Sequence, residues 1–546
     1  MKKFLAIVLA LACVLGLCAC GGNTGDGGSA GGNKADPEGK VTLSIGLPTN
    51  ALVLDHDNNA LTKWVEETCN VELKFVEYAG GTDVATQIST TIAARQELPD
   101  ILYGISLGDS TITRYGKDGY LIDLSKYYED KEGASKTFWD RMANELSEYD
   151  QDAVLREIVN PETGAIYTVP TVETSLTDPM QWQAWINQKW LDKLGLKAPT
   201  NNDELVEVLK AFRDKDPNGN GQKDEIPLFG SQRGDNSKPI DWLINLFCYY
   251  NVDKQHNVGK DGKLYPVYTT EEYRNALKFI SMLYKEKLLT SMAWTASGQE
   301  MKTITTPASG TAMCGIFLGH LTGTVTPGSE VLYEYVPMQT WGNVIRNDSS
   351  INKATFITES CQNPDKAFEV LMTLWSWDGS MRIRYGEKGV NWTEPDEGAI
   401  SDMGLECTFK LLRDPISEQS TAKWAKIAST LNNYAELETA QVTEQTDKWY
   451  ATRTSMAAAS YKLFAEREAG MDLSIKCPTL ILTEEEKERI STYSTNVSDR
   501  RAKAQTEFCS GVLDPDKDWD KYVKELEDLG MNTVLELYQT VYDRGI

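Results

Sequence analysis

Basic side chains are the scarcer charged class in this sequence. The 546 residues carry 55 Lys and Arg against 80 Asp and Glu, which gives a formal net charge of −25 at pH 7. Proteins that bind nucleic acid need a basic surface that displaces counterions from phosphates, and electrostatic adsorption to anionic lipid needs one as well. We therefore expect no nucleic-acid partner, and any contact with a membrane must have another cause.

The sequence also lacks the motifs of several enzyme classes. It contains no P-loop, no HExxH zinc motif, no Rossmann glycine fingerprint and no CxxC pair. Residues 104–108, Gly-Ile-Ser-Leu-Gly, do match the G-x-S-x-G nucleophile elbow of hydrolases, with His256 and His320 downstream as possible bases. An elbow requires a helix directly after the serine, whereas residues 109–120 are polar and interrupted by glycine. We interpret the motif as a turn at the end of a strand.

The first 40 residues have the composition of an export and anchoring segment. Two lysines precede an apolar run from Phe4 to Leu17, which is too short for a spanning helix and has the layout of a secretory signal. The sequence Leu17-Cys-Ala-Cys20 resembles the bacterial lipobox, in which a cysteine is lipidated on its thiol and becomes the new N-terminus. We predict a signal peptide over 1–19, palmitate-type lipidation of Cys20 and a flexible Gly-rich tether. An ordinary signal peptide cut nearby is the alternative.

Cysteine usage after Cys20 does not indicate a disulfide scaffold. The number of these cysteines is odd and they are widely spaced, so we expect buried small apolar side chains of which at least one is unpaired. They are Cys69, Cys248, Cys314, Cys361, Cys407, Cys477 and Cys509.

Alternating strand and helix patterns predict an α/β fold. Residues 41–47 alternate apolar and polar side chains, residues 60–69 have helical spacing, and residues 71–75 alternate again. A strand, a helix and a second strand in this order form a βαβ unit with a parallel sheet. Two later apolar runs, 166–170 and 331–337, are predicted crossover strands that would divide the chain into two lobes.

The strongest local signal for a bound ion is residues 214–225, Asp-Lys-Asp-Pro-Asn-Gly-Asn-Gly-Gln-Lys-Asp-Glu. Oxygen-bearing side chains recur at alternate positions and two glycines permit turns with positive φ, as a calcium loop requires. An EF-hand register that begins at Asp214 competes with one that begins at Asp216. We prefer the second, with Gly221 in the invariant glycine position, because Gly221 would otherwise occupy the eighth position of the first register, where an EF-hand usually packs an apolar residue. It predicts a structural calcium ion held by Asp216, Asn218, Asn220, the Gln222 carbonyl, Asp224 and Glu225, and a solvated acidic turn is the alternative.

Aromatic side chains suggest a sugar ligand. The chain has 14 Trp and 24 Tyr, and indole and phenol rings stack on the apolar faces of sugars while polar groups bind the hydroxyls. Tryptophans in amphipathic helices are expected in the core. We single out those in polar or glycine-containing segments, which are Trp242, Trp294, Trp341 and Trp392.

Short motifs along residues 41–470 resemble one protein family. In chain order they are Glu97-Leu-Pro-Asp100, Gly119-Tyr-Leu-Ile-Asp-Leu124, Gly164-Ala-Ile-Tyr-Thr-Val-Pro170, Trp190-Leu-Asp-Lys-Leu-Gly-Leu196, the loop 216–227, Gly310-Thr-Ala-Met313 and Arg384-Tyr-Gly386. Together they resemble the bacterial extracellular solute-binding proteins of family 1, the sugar-binding lipoproteins of ABC importers, and most of all the Gram-positive branch of oligosaccharide- and alginate-type binders. The calcium loop of that family uses the alternate-residue register.

The resemblance implies a periplasmic-binding-protein-like fold of two α/β lobes, joined by crossover strands, with a ligand between them and closure as a hinge motion. Beyond the signal peptide (1–19) and the tether (20–40), the expected division is an N-terminal lobe (41–170), a second lobe with the calcium loop (171–335), a return to the N-terminal lobe (336–385), and the second lobe with C-terminal helices (386–546). No motif fixes the ligand contacts, and our candidates are Asp57, Asn58, Trp242, Trp294, Trp341, Tyr385 and Trp392.

The function that the resemblance implies is transport and not catalysis. We expect a lipid-anchored monomer on the extracellular face of the cell membrane, which captures an oligosaccharide and delivers it to an ABC permease whose ATPase is a separate chain. The alternatives are a surface serine hydrolase through Ser106, a glycosidase that uses two carboxylates, or a binding protein for another solute such as a peptide.

Overall fold

The computed structural model describes most of the chain from Lys40 onwards. The described residues are 40–79, 84–173, 180–181, 183–233, 237–348, 350–413, 419–424, 428–432, 438–442 and 448–544. The predicted signal peptide, the lipidation site Cys20 and nearly all of the tether lie outside them.

Two four-stranded sheets form the centres of two lobes. The first sheet has the order β12-β3-β1-β2, in which β1, β2 and β3 are parallel and β12 is antiparallel. The second sheet has the order β10-β5-β9-β6, with β6 and β9 parallel and β5 antiparallel to β9 and β10. The strands of these sheets are β1 Val41–Pro48, β2 Val71–Tyr78, β3 Ile101–Leu102, β5 Ala184–Asn187, β6 Ile226–Phe229, β9 Cys314–Leu318, β10 Tyr335–Pro337 and β12 Phe356–Ile357.

A three-stranded sheet of order β11-β4-β15 lies between these lobes in the chain path. Its strands are β4 Thr171–Glu173, β11 Ser350–Asn352 and β15 Leu431–Asn432. Strands β4 and β11 belong to segments that leave one lobe and enter the other. Strand β15 is followed by Ala440–Gln441, which pairs with Phe409–Leu411, and the third crossing comes after residue 442. Residues 166–170 lead directly into β4. The prediction for residues 331–337 is wrong, because these residues end in β10, which pairs with β5 inside the second lobe, and β11 makes that crossover instead.

The remaining strands form small peripheral pairs and sheets. They are β7 His256–Val258, β8 Leu264–Pro266, β13 Trp392–Thr393, β14 Phe409–Leu411 and β16 Ala440–Gln441. Strands β7 and β8 form an antiparallel pair, and β13, β14 and β16 form a three-stranded sheet.

Helices cover both sheets and form the C-terminal part of the chain. Many begin at a residue whose side chain accepts a hydrogen bond from the first turn, such as Asn59, Asn201 and Thr483. In the described residues the helices are α1 Ala60–Cys69, α2 Val84–Ala93, α3 Asp109–Lys117, α4 Ser125–Glu129, α5 Lys136–Glu145, α6 Glu148–Ile158, α7 Gln188–Leu194, α8 Asn202–Asp214, α9 Pro239–Asn245, α10 Glu271–Lys285, α11 Gly298–Thr305, α12 Leu321–Thr324, α13 Pro364–Trp375, α14 Trp377–Tyr385, α15 Lys448–Glu468, α16 Glu484–Ser510, α17 Trp519–Asp528 and α18 Met531–Arg544.

Each lobe has its own large apolar core, and both cores draw on distant parts of the chain. The core of the first lobe includes Leu43, Trp375 and Leu431, whereas the core of the second includes Trp185 and Phe508. The sequence-based division assigned all residues from 386 onwards to the second lobe. In the structure Trp424, Ala428 and Leu431 lie in the first core, and it is the helices after residue 448 that pack on the second.

The seven cysteines after residue 40 are free thiols, and six of them are buried. This confirms that they act as small apolar side chains. Among the helices that the structure describes, none combines the length and the apolar composition needed to cross a lipid bilayer.

Candidate functional site

The crossover region is held by charged side chains from several segments. Asp348, which precedes β11, contacts the ammonium groups of Lys254 at 2.5 Å and Lys476 at 2.8 Å, and Thr479 donates a hydrogen bond to the same carboxylate at 3.1 Å. Although burial opposes ionisation, the two ammonium groups hold the pKa of Asp348 well below its usual range. Arg346 pairs with Glu468 of α15 at 2.8 Å.

The carboxyl ends of the parallel strands in each lobe lie at one edge of the sheet. Strands β1 and β2 are paired in register up to Pro48 and Tyr78, and the N–H of Thr49 donates to the carbonyl of Tyr78 at 2.8 Å. In the second lobe the carboxyl end of β9 is followed by Gly319, whose carbonyl accepts the indole N–H of Trp185 at 2.8 Å. Ligands of open α/β sheets bind beyond these strand ends, so the two edges are the candidate faces of a binding cleft.

The predicted contacts Asp57 and Asn58 lie on the first of these edges, in the turn between β1 and α1. Both side chains are exposed. Asn58 accepts a hydrogen bond from Lys63, and it lines an open cleft of about 760 Å³ on the first lobe. The guanidinium of Arg382 stacks over the ring of Trp64 in this cleft, 4.9 Å from the ring centroid.

That cleft is built from segments that the sequence does not connect. It combines helix α1, the turn before β13 and the residues around Ser420. Its lining contains both acidic and basic side chains, which are Lys63, Glu67, Arg382, Glu387, Lys388 and Arg413. Apart from Asn58, none of these residues was a sequence-based candidate. No local pattern could have found them, because they meet only through tertiary packing.

Tyr385 and Trp392 are enclosed in a satellite core of the first lobe. They are 1% and 0% exposed and pack with Phe409 and Leu411, and the indole N–H of Trp392 donates to the carbonyl of Gly386 at 3.0 Å. Neither ring presents a face on which a sugar could stack. Burial follows from β14, which brings the Phe409 ring to 4.9 Å from the Tyr385 ring and pairs Leu411 with Trp392.

The other three predicted aromatic contacts lie in the second lobe. Trp294 is half-buried and meets Tyr284 edge-on at 5.3 Å, and Trp341 is half-buried with its N–H donated to Asn202 at 2.8 Å. Trp242 is 2% exposed and belongs to the second core. The seven candidates are thus divided between the two lobes, and the structure does not bring them to one point.

Residues 214–225 form a loop between α8 and β6, in the second lobe. Asp216 has a φ of 49°, and Gly219 and Gly221 have φ of 76° and 75°, which lets the chain turn tightly. The two carboxylate oxygens of Asp216 accept hydrogen bonds from the N–H groups of Gly219 at 2.9 Å and Gly221 at 3.1 Å. Asp216 is therefore the residue around which the loop closes, which fits the register that begins there.

The remaining oxygens of the loop surround the same region. The side-chain amides of Asn218 and Asn220 donate to Asp224 at 3.0 to 3.1 Å. Both carboxylate oxygens of Glu225 are buried and accept no hydrogen bond of ordinary geometry within the described residues. Burial raises the pKa of Glu225, and the negative charges of Asp216 and Asp224 raise it further.

This arrangement fits a cation ligand set that includes amide and main-chain oxygens. In the described part of the chain no three His, Cys, Asp or Glu side chains approach closely enough to form a metal site by themselves. A cation here would need Asn218, Asn220 and the Gln222 carbonyl in addition to the carboxylates. It would supply the positive charge that the Glu225 oxygens lack.

The possible nucleophile elbow has a helix after all. Helix α3 begins at Asp109, directly after Gly108, and Ser106 is exposed. His256 lies in the second lobe, is 9% exposed and packs against Tyr268 and Tyr538. Its Nδ1 atom is 2.8 Å from the Lys254 carbonyl. His256 therefore does not serve as a base for Ser106.

Comparison with known proteins finds similarity to a substrate-binding protein of an ABC transporter and to a lipoprotein. No family model matches the chain. The fructooligosaccharide ABC transporter substrate-binding protein FusA of Streptococcus pneumoniae is 25% identical over 517 residues, which cover 90% of this chain and 88% of FusA. Lipoprotein LipO of Bacillus subtilis is 27% identical over 290 residues, or 53% of this chain and 51% of LipO.

Solved structures share the architecture described above. An extracellular solute-binding protein of Bifidobacterium longum subsp. infantis has a TM-score of 0.72 at 20% identity, over 93% of this chain and 99% of its own. FusA in complex with kestose has a TM-score of 0.67 at 21% identity, over 92% of this chain and 99% of its own. A FusA EF-hand mutant in complex with fructo-nystose has a TM-score of 0.66, with the same coverage.

The predicted α/β, periplasmic-binding-protein-like fold is confirmed by these solved structures. Over 90% of its length the chain is similar to one ABC transporter substrate-binding protein, FusA.

Proposed function

We propose that this protein is the extracellular substrate-binding protein of an ABC importer and that it captures an oligosaccharide between its two lobes. The observation that carries the proposal is that the chain crosses three times between two lobes with separate cores, in the segments that contain β4 and β11 and between β16 and α15. Such a connection permits hinge closure with both cores intact. FusA is 25% identical to this chain over 90% of its length, and its name as a fructooligosaccharide-binding protein supports an oligosaccharide as the ligand class.

The energy that closure requires is modest. A ligand that binds the closed form about 100-fold more tightly than the open form stabilises the closed form relative to the open form by about 2.7 kcal/mol. The permease then needs to recognise only the relative position of the two lobes. In this proposal the protein acts as a monomer, and ATP hydrolysis belongs to other chains.

Titration calorimetry against a panel of oligosaccharides, with kestose as the first probe, tests the proposal. We expect saturable binding of at least one saccharide, accompanied by a change in tryptophan fluorescence. Small-angle scattering should show a smaller radius of gyration with that saccharide than with one from the panel that does not bind. If no saccharide binds, the sugar ligand is refuted.

We also propose that the mature protein is anchored by a lipid on Cys20. The apolar run and the cysteine that follows it support this proposal, as does the name of the relative LipO. The anchor would keep the protein at the outer face of the membrane beside its permease. Labelling with a palmitate analogue is expected to mark the natural chain and to fail on Cys20→Ser.

We further propose that residues 216–225 hold a structural calcium ion. The unpartnered Glu225 oxygens and the closure of the loop around Asp216 support this proposal, and a FusA structure of an EF-hand mutant indicates such a loop in that relative. The ion would neutralise the acidic loop and fix the path from α8 to β6. Chelation is expected to lower the melting temperature.

A further inference from the structure

The segment between α15 and α16 runs along the crossover region and touches both lobes. We call residues 476–483 the connector. At its start, Lys476 and Thr479 contact the carboxylate of Asp348, which precedes β11. Lys476 also forms a β-bridge with Asn257 of the second lobe. The connector therefore begins at the hinge.

Apolar side chains and one cation fix the connector to the second lobe. Leu480 and Leu482 pack on a small cluster of α16 and α18 that includes Ile490. Arg544, at the end of α18, donates a hydrogen bond to the carbonyl of Ile481 at 2.9 Å. Helix α16 then continues into the second core, so the connector and the start of α16 must move with the second lobe.

The other side of the connector faces the first lobe across an incompletely packed interface. Ile481 lines a cavity of about 200 Å³ together with residues of α3 and α6. Two polar contacts from the first turn of α16 bridge this interface. The N–H of Glu484 donates to Oε1 of Glu162 at 3.4 Å, and the ammonium group of Lys487 lies 3.6 Å from the carboxylate of Asp109.

Asp109 lies on the candidate cleft face of the first lobe. It begins α3, which follows the carboxyl end of β3, where the N–H of Tyr103 still donates to the Gly46 carbonyl of β1 at 2.8 Å. Lys353, just after β11, lies 2.6 Å from the same carboxylate. Burial raises the pKa of Asp109, but the ammonium groups of Lys353 and Lys487 outweigh it and hold the pKa below its usual value.

The contact between Lys487 and Asp109 depends on the separation of the lobes. Lys487 moves with the second lobe, and Asp109 lies on the edge where the first lobe meets the cleft. A motion that opens the cleft carries these two faces apart and must lengthen the contact of 3.6 Å, whereas closure retains it. The pair therefore stabilises only the arrangement in which the lobes are close together.

We infer that Lys487 and Asp109 form an inter-lobe latch, which favours the closed arrangement and so regulates the affinity for the saccharide. The link to a saccharide rests on the proposed function. If the ligand binds the closed arrangement, its apparent dissociation constant varies inversely with the population of that arrangement. Loss of the latch lowers this population and weakens binding by the same factor.

The test uses the tightest-binding saccharide of the panel and variants of the mature chain. Lys487→Met removes the ammonium group and keeps the apolar stem, Lys487→Arg retains the charge, and Asp109→Asn removes the carboxylate charge. The matched control is Lys524→Met. Lys487 also pairs with Glu484 within α16 at 2.9 Å, and the ion pairs of Lys524 in the described residues all lie within α17. Melting curves establish that each variant is folded, and Lys487→Met compared with Lys487→Arg decides if Asp109→Asn does not fold.

We expect Lys487→Met to bind the saccharide about 2- to 5-fold more weakly at low salt, the effect of one partly exposed ion pair. Lys487→Arg and Lys524→Met should bind normally. The loss should shrink at about 1 M salt, because exposed charges are screened. Adding Lys487→Met to Asp109→Asn should cause no further loss, since the pair is already broken. In small-angle scattering, free Lys487→Met should have a larger radius of gyration than free Lys524→Met.

The outcomes separate this inference from the proposed function. If the natural protein binds a saccharide and Lys487→Met binds it equally well or more tightly, the latch is overturned while the proposed function stands. If the natural protein binds no saccharide, the proposed function fails, and scattering of the free proteins decides the latch alone. Equal radii of gyration for Lys487→Met and Lys524→Met would then overturn it.

Discussion

The calcium loop gives the sharpest prediction because its two registers differ over one residue: both use Asp216 and Glu225, but only the register that begins at Asp214 uses Asp214. The register that begins at Asp216 requires Asp216 and Glu225 and does not require Asp214. In the structure the Asp214 carboxylate forms an ion pair with Arg213 at 2.7 Å and does not face the other oxygens of the loop through that atom. Asp216→Ala and Glu225→Gln therefore test whether the loop binds calcium, and Asp214→Asn distinguishes the registers.

The expected magnitude follows from ligand linkage. Extracellular calcium sites have dissociation constants of about 10⁻⁴ to 10⁻³ M, so that 10 mM calcium is about 100 times the lower value and stabilises the folded state by about 2.7 kcal/mol. For a folding unit of about 150–250 residues this shifts the melting temperature by roughly 5–10 °C. We expect the natural protein to show a shift of this size between calcium and chelator in a calorimetric or fluorescence melt.

The variants should divide into two groups. Asp216→Ala and Glu225→Gln are expected to melt at the same temperature with calcium and with chelator, whereas Asp214→Asn keeps the full shift. In chelator, Glu225→Gln should be at least as stable as the natural protein at pH 7. The reason is that the folded state raises the pKa of Glu225, so the ionised carboxylate disfavours folding above its unfolded pKa.

Two results would refute this reasoning. If the natural protein melts alike with calcium and chelator, residues 214–225 are an acidic turn. If Asp214→Asn loses the shift as Asp216→Ala does, the ion is bound in the register that begins at Asp214.

Three other perturbations have defined outcomes. Asp348→Asn leaves two ammonium groups without their carboxylate and should destabilise the protein by about 2 kcal/mol at pH 7 in a urea melt. Because the pKa of Asp348 is lowered in the folded state, this difference begins to shrink as the pH falls below about 4, the pKa of the unfolded chain, and is lost only when the pH falls through the depressed pKa of the folded protein. The exposed Asp516, which also contacts two cations, is the control, and Asp516→Asn should cost less than about 1 kcal/mol. Arg141→Met should cost about 3 kcal/mol, because this buried guanidinium donates to the Leu431 carbonyl of the crossover sheet at 3.1 Å; an unchanged urea midpoint would contradict that role. Cys20→Ser should release the protein from membranes into the medium, and retention in a washed membrane fraction would argue against lipidation.

The sequence predicts the first βαβ unit closely because its pattern is local. The predicted strand, helix and strand at 41–47, 60–69 and 71–75 correspond to β1, α1 and β2, which extend over Val41–Pro48, Ala60–Cys69 and Val71–Tyr78. The alternating oxygen-bearing side chains of residues 214–225 are a local pattern as well. In the structure this loop closes around Asp216, whose carboxylate accepts hydrogen bonds from the N–H groups of Gly219 and Gly221.

Features that depend on distant partners were not predictable in this way. Residues 331–337 are as apolar as a crossover strand, and only the pairing of Tyr335 with Asn187 shows that they belong inside the second lobe. Trp392 lies in a glycine-containing segment, and it is buried only because Leu411 pairs with it across the small sheet. Periodicity within a segment carries no information about such partners.

The threefold crossing of the chain between the lobes also affects the order in which the protein folds. The first lobe needs Leu431 for its core, and the second needs Phe508, so neither core is complete until most of the chain has been made. Contacts of such large sequence separation form slowly. A chain that is exported while it is being made would therefore cross the membrane before either lobe could fold, and the topology itself keeps the protein in a form that can be translocated.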